Sequence, residues 1–235
     1  MCTLTYVPLD NGYVWTSNRD EMADRPTIVP RVYDRHGQRL IFPKDGRSGG
    51  SWIAVSERGG MRFILNGAFE QYFPHKSYPK SRGVVLLESF DGDDIEAFWS
   101  AVDLSQVESF TLVAMDDDAD HTIYEMIWDE KQKFLTTKNP QDHHIWSSAT
   151  LYSREVRADR KGWFEHWQAH RGFHAREDIL DFHKHPHSPD SAANLIMKRD
   201  NGVRTLSISQ IAVLDQKPVF DHHDLLNDNV TTLRF

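Results

Sequence analysis

Residues Cys2-Thr3-Leu4-Thr5-Tyr6-Val7-Pro8 and Tyr13-Val14-Trp15-Thr16-Ser17 flank Asp10-Asn11-Gly12 near the start of the chain. β-Branched and aromatic residues on both sides of such a turn make a two-stranded antiparallel hairpin. Two registers are open. With Asp10-Asn11 at the centre of the turn, Cys2 stands opposite Arg19 (2 + 19 = 21); with Asn11-Gly12 at the centre, it stands opposite Glu21 (2 + 21 = 23). Either register delivers Asn18-Arg19-Asp20-Glu21 to the cysteine, because opposed residues of an antiparallel pair lie about 4.5–5.5 Å apart at Cα.

Beyond the hairpin, residues 22–36 carry Pro26, Pro30 and several charges and read as an irregular loop. Strands resume at 39–42, 51–56 and 61–66, separated by turns at Gly46, Gly49-Gly50 and Gly59-Gly60. Apolar spacing then gives helices over 82–90 and 93–102, the second opened by the acidic run at 91–94. Strands follow at 110–115, 122–128, 133–137 and 144–148, helices at 155–169 and 176–183, and strands again at 203–214, 218–220 and 230–235. Trp163 and Trp167, one helical turn apart, form a core-facing stripe. This segregation of strands from helices argues for an α+β fold of antiparallel sheets covered by helices, and against a doubly wound parallel sheet.

The chain has 235 residues, 39% hydrophobic and 26% charged, with no linker-like stretch to divide it, so residues 1–235 are expected to form a single domain. Its 27 Lys and Arg against 35 Asp and Glu leave a net charge of −8, which disfavours a nucleic-acid partner. No apolar run approaches the roughly 18 residues of a membrane span, and the first residues lack the pattern of a signal peptide; the expected location is the cytoplasm. No signal of oligomeric state is visible.

The one cysteine, Cys2, directly follows the initiator Met1. A small side chain there permits removal of the methionine, and the mature chain can then begin with cysteine. An N-terminal cysteine supplies a nucleophile and a base in one residue: its thiol attacks a carbonyl while its free α-amine takes the thiol proton. Reference pKa values of about 8.5 and 7.7–8.0 make that transfer feasible near neutrality. Arg19 would favour the thiolate, and Asp20 could hold or orient the amine.

Met1-Cys2-Thr3 followed by Ser17-Asn18-Arg19-Asp20-Glu21 resembles the NRDE family, which includes the Transport and Golgi organisation 2 proteins. Gly50-Ser51-Trp52-Ile53-Ala54, Leu65-Asn66, Ser81-Arg82-Gly83 and Gly202-Val203-Arg204-Thr205 extend the resemblance along most of the chain. That family is similar to the cysteine branch of the N-terminal nucleophile hydrolases. The resemblance implies a four-layer αββα sandwich of two antiparallel sheets. It also implies a hydrolase of non-peptide C–N amide or related acyl bonds, with a small-molecule acyl substrate and no cofactor. Carried over by position, the site residues are Cys2, Arg19, Asp20, Asn66 and Arg204. Arg19 and Asp20 are adjacent where the hydrolases separate the pair, so Glu21 could hold the acidic role. Ser148 stands where a second asparagine is expected.

The 13 histidines bunch at 143–144, 183–187 and 222–223. They carry the alternative reading, a carrier of haem or a hydrophobic ligand on the same fold, since imidazoles bind haem iron and relatives have been connected with haem trafficking. No diagnostic ligand spacing accompanies them, and Pro186 places the middle cluster on a loop, where solvated side chains are expected.

Overall fold

The computed structural model describes residues 3–72, 77–92, 94–116, 121–214 and 217–235. In chain order the elements are β1 (Thr3–Leu9), β2 (Gly12–Met22), β3 (Thr27–Arg35), β4 (Gln38–Asp45), β5 (Ile53–Ser56) and β6 (Met61–Asn66), then α1 (Arg82–Glu88) and α2 (Ile95–Ala101). They continue with β7 (Phe110–Met115), β8 (Ile123–Trp128), β9 (Lys133–Lys138), β10 (His144–Ser147), α3 (Arg154–His170), α4 (Arg176–Lys184), β11 (Val203–Leu214), β12 (Lys217–Asp224) and β13 (Asn229–Arg234). Among the described residues these strands form a six-stranded sheet, β10-β1-β2-β11-β12-β13, and a seven-stranded one, β3-β4-β5-β6-β7-β8-β9, each antiparallel throughout.

The opening hairpin takes the register with Asp10-Asn11 at its turn, from Leu9 opposite Gly12 to Thr3 opposite Asn18. Gly12 is obligatory there, since a Cβ would lie 1.9 Å from the Val213 carbonyl oxygen. Alternation along a strand sends successive side chains to opposite faces. Tyr6 and Trp15 therefore meet the second sheet, with Trp15 stacked on Phe63 of β6 at 4.5 Å between ring centroids and on Trp146 of β10 at 5.9 Å. Val7 and Val14 face the other way and pack with Phe164 and Trp167 of α3 and Ile179 and Phe182 of α4; Trp163 is half-buried beside them. On the far side, Val85 of α1 and Trp99 of α2 cover the second sheet, Trp99 edge-on to Phe110. The result is a four-layer αββα sandwich. No helix among the described residues is long and apolar enough to cross a membrane.

Two expectations are corrected. Within the segment 22–36, read as an irregular loop, residues 27–35 form β3 on the edge of the second sheet. Pro30 sits where the β3–β4 register shifts, between Ile28 and Arg31. An edge position tolerates proline because no further strand needs its missing N–H. His183 is not solvated: it lies in the last turn of α4, at the end of the helix expected over 176–183, and is fully buried. Its Nε2 meets Thr5 Oγ1 at 2.8 Å and its Nδ1 meets Asn18 Oδ1, while Asn18 Nδ2 donates to the Leu195 carbonyl at 2.9 Å. The amide donor being used there, Asn18 accepts from Nδ1–H, and Nε2 accepts from the threonine hydroxyl. This fixes a neutral imidazole that clamps α4 to β1 and β2.

Burial first, then the neighbouring His187 and Arg160, push the His183 pKa from 6.5 down to about 3. Burial likewise lowers His222, bonded to Ser209 Oγ, to about 4, against the opposing charge of Asp224. Both histidines bind a proton more readily in the unfolded chain, so their contribution is full above about pH 6.5 and is lost as pH falls toward 3. Urea midpoints measured from pH 7.5 to 4 should fall steadily, and the slope should be shallower in His183→Gln.

Candidate active site

Arg19 leaves β2 on the face toward the second sheet and is only 4% exposed. Its Nη2 donates to Asp45 Oδ2 at 2.7 Å, and its guanidinium carbon lies 4.4 Å from the centre of the Trp52 ring. Nη1 is buried with no hydrogen-bond partner among the described residues. Asp45, the last residue of β4, also accepts from Arg25 Nε at 2.7 Å and from the backbone N–H groups of Arg47 and Ser48 at 3.1 and 2.9 Å. Burial alone would raise the Asp45 pKa; the hydrogen bonds from Arg25 and Ser48 and the charges of Arg25 and Arg19 outweigh it and hold the carboxyl far below the usual range. Burial lowers the Arg19 pKa, with Asp45 and Glu21 pulling the other way; a guanidinium in such a pair remains charged.

Asp20 projects from the opposite face of β2. It is equally buried, accepts from Thr205 Oγ1 at 2.5 Å, and receives the hydroxyl of Tyr152. The Tyr152 ring carries the Arg160 guanidinium 3.6 Å from its centre, a cation–π contact on a fully buried arginine. Arg160 in turn donates to Thr3 Oγ1 at 2.5 Å and to the carbonyls of Ala193 and Asn194. Asp20 is thus joined through Tyr152 and Arg160 to the start of β1.

Glu21 pairs with Arg25 at 3.3 Å and stands opposite Arg204 across the β2–β11 pair. Arg204 Nε is buried and has no partner among the described residues. Asn66 ends β6. Its backbone carbonyl accepts from Ser148 Oγ at 2.8 Å. The Ser148 proton is therefore committed to positioning Asn66. Arg19, Glu21, Asp45, Trp52 and Asn66 line one cavity of about 90 Å³, with Ser81-Arg82-Gly83 on its far wall. That wall depends on two glycines, since a Cβ on Gly50 would sit 2.4 Å from the Gly83 carbonyl carbon.

Of the residues singled out in the sequence, Arg19, Glu21 and Asn66 share this cavity; Asp20 borders it on β2 with its carboxylate turned to Thr205 and Tyr152, and Arg204 stands one strand away beside Glu21. Cys2 lies outside the described residues. The register of 3–9 is the one for which the sequence places position 2 opposite Arg19. Asp45, Tyr152 and Arg160 escape the sequence reading. Asp45-Gly46 looks like an ordinary turn, and Arg160 looks like one more cation on an amphipathic helix; Trp52 and Thr205, each inside a quoted motif, carried a signal. The 183–187 histidines do not converge on one point: His183 turns into the sheet, and His187 stacks on Trp163 and meets the Phe182 carbonyl at 2.9 Å.

Residues 1–200 match the family model described as Transport and Golgi organisation 2. The chain belongs to that family. No curated protein matches it by sequence. Among solved structures, this Transport and Golgi organisation 2 chain is similar to a cysteine-to-alanine mutant of conjugated bile acid hydrolase from Clostridium perfringens. The TM-score is 0.67 at 8% identity, covering 100% of this chain and 92% of that one. Penicillin V acylase from Agrobacterium tumefaciens gives 0.58 at 11% identity over 100% and 86% of the two chains. The Caenorhabditis elegans orthologue of N-acylethanolamine-hydrolyzing acid amidase gives 0.55 at 8%, over 92% and 93%. The fold is that of the N-terminal nucleophile hydrolases.

Removing Asp45 would strand the buried Arg19 without its counter-charge, and breaking such a pair costs about 3–5 kcal/mol. Asp45→Ala should therefore lose about 3 kcal/mol or more in urea unfolding, whereas Arg47→Ala, whose side chain makes an exposed pair with Asp24, should lose less than about 1 kcal/mol.

Proposed function

We propose that the protein is a cysteine N-terminal nucleophile hydrolase acting on a non-peptide C–N amide or related acyl bond of a small molecule. The observation that carries this reading is Arg19: a buried cation, oriented by Asp45 and Trp52, with Nη1 unpartnered among the described residues, which lines the same cavity as Asn66. A protein seldom buries a guanidinium donor without use for it, and a cation at this point favours a thiolate on the residue that precedes Thr3.

In this reading Met1 is removed. The Cys2 α-amine takes the thiol proton as sulfur bonds to the substrate carbonyl carbon, and the oxyanion so formed is met by the Asn66 side-chain amide. The C–N bond breaks as the ammonium returns the proton to the leaving amine, which leaves a thioester. Water then adds with its proton going to the α-amine, the C–S bond breaks, and the acid and free thiol are regenerated. Asp20, already fixed by Thr205 and Tyr152, supplies negative charge beside the amine, and Arg204 borders the site from β11. The haem-carrier alternative draws less support, since both ring nitrogens of His183 are engaged inside the fold.

Intact mass after incubation with activated esters should reveal a single acyl adduct that maps to Cys2, and N-terminal sequencing of protein from its native host should begin with cysteine. Cys2→Ala should retain the fold and lose both adduct and turnover. Arg19→Ala should raise the pH midpoint of thiol alkylation by about one unit or more. Because Arg19 is buried, that shift should vary little with salt. Full turnover in a chain that keeps Met1 would refute the mechanism.

A further inference from the structure

A second cavity, of about 240 Å³, opens between the two sheets immediately beside the candidate active site. Two of its lining residues border that site along the strands: Leu65 precedes Asn66 in β6, its side chain on the opposite face, and Ser147 of β10 stands opposite Thr3. Its apolar wall is made by Leu65, Ile127 and the Trp146 indole, whose Nε1–H is already used by Glu125. Its charged wall comes from α3, where Arg157 and Lys161 lie one turn apart.

The charges do not cancel. Glu125 is neutralised by Lys138 Nζ at 3.1 Å in addition to the Trp146 bond. Arg157 spends Nη2 on the Phe69 carbonyl at 2.8 Å, and its Nε is buried with no partner among the described residues. Lys161 has only a loose, exposed pairing with Glu165 at 3.7 Å. One end of the cleft, whose remaining lining is mainly apolar but includes Thr111, Ser147 and the paired Glu125, therefore presents an unsatisfied guanidinium donor and an ammonium, the pair of groups that recognise a carboxylate. The size sets a second limit. At about 240 Å³ the cleft is smaller than the roughly 300–1,000 Å³ of pockets for drug-sized ligands, which suits a short chain or a single ring and not a fused-ring body.

We propose that this cleft binds the acyl part of the substrate, and that this acyl part is short, apolar along its length, and ends in a carboxylate held by Arg157 and Lys161. The proposal rests on the hydrolase reading above. The acyl portion is the one assigned here because it stays on the enzyme after the amine has left, and a half-enclosed cleft suits the part that stays.

The test compares 4-nitrophenyl hexanoate with mono-4-nitrophenyl adipate, esters of equal chain length that differ only in the terminal carboxylate. The expected result is a kcat/KM about tenfold higher for the adipate ester, a ratio that falls toward one in Arg157→Met, in Lys161→Glu and at high salt. Lys161 is exposed, so its substitution reads the effect even if Arg157→Met fails to fold. Calorimetric titration with free adipate and free hexanoate accompanies the kinetics and needs no catalysis. Adipate binding that depends on Arg157 and Lys161, without turnover or acylation of Cys2, would uphold the anion site and sink the hydrolase reading. Equal handling of the two esters together with equal binding of the two acids would overturn the proposal, as would a preference that survives both substitutions.

Discussion

Strand β2 is buried on both faces, and the two-residue period of a strand sends Arg19 to one face and Asp20 to the other. Two charges buried back to back cannot neutralise each other, and each needs its own polar shell. For Arg19 the shell is Asp45 at the end of β4 and the face of Trp52; for Asp20 it is Thr205 on β11 and Tyr152 ahead of α3. Meeting these demands ties the C-terminal end of β2 to both sheets and to the helical layer, beside the cavity where the site residues gather.

The same alternation joins core to site. Trp15, four residues before Arg19 on the same face, packs on Phe63 and Trp146 in the interior of the sandwich, and only the buried Ser17 separates it on that face from the charged end of β2. Helix α1 approaches that end only because Gly50 and Gly83 let two backbones touch. On the other face, His183 and Arg160 fasten α4 and α3 to β1 through Thr5 and Thr3, and neither is exchangeable for an apolar residue without leaving buried partners unsatisfied. A cation as deeply buried as Arg160, answered mainly by carbonyls and an aromatic ring, is an unusual clamp for the first strand of a chain.

Local pattern made much of the fold legible. Alternating β-branched and aromatic residues gave Met61–Asn66, Phe110–Met115 and Val203–Leu214 to the residue, and apolar spacing gave α3 and α4 within one position at each end. Residues 27–35 were hidden by Pro26 and Pro30, because strand propensity ignores whether a neighbour needs the missing N–H, and only the sheet order reveals that β3 lies at an edge. His183 was misread for a similar reason: a histidine before a proline-containing loop looks solvated until the packing of α4 against β1 turns it inward.

By itself the sequence determined the opening hairpin, the alternation of strand and helix blocks, and the placing of Arg19, Asp20, Asn66 and Arg204 on strands or strand ends, since these follow from local periodicity and turn chemistry. It left two registers open for the hairpin. The tertiary structure selected the one with Thr3 opposite Asn18; the two registers differ by two residues, which keeps every side chain of β2 on its own face, so strand periodicity alone does not choose between them. It also chose the partners of the buried charges. Asp45 lies 26 residues from Arg19 and Thr205 lies 185 from Asp20; which carboxylate or hydroxyl comes to meet a buried charge is decided by how the strands cross in space, a relation no local pattern encodes.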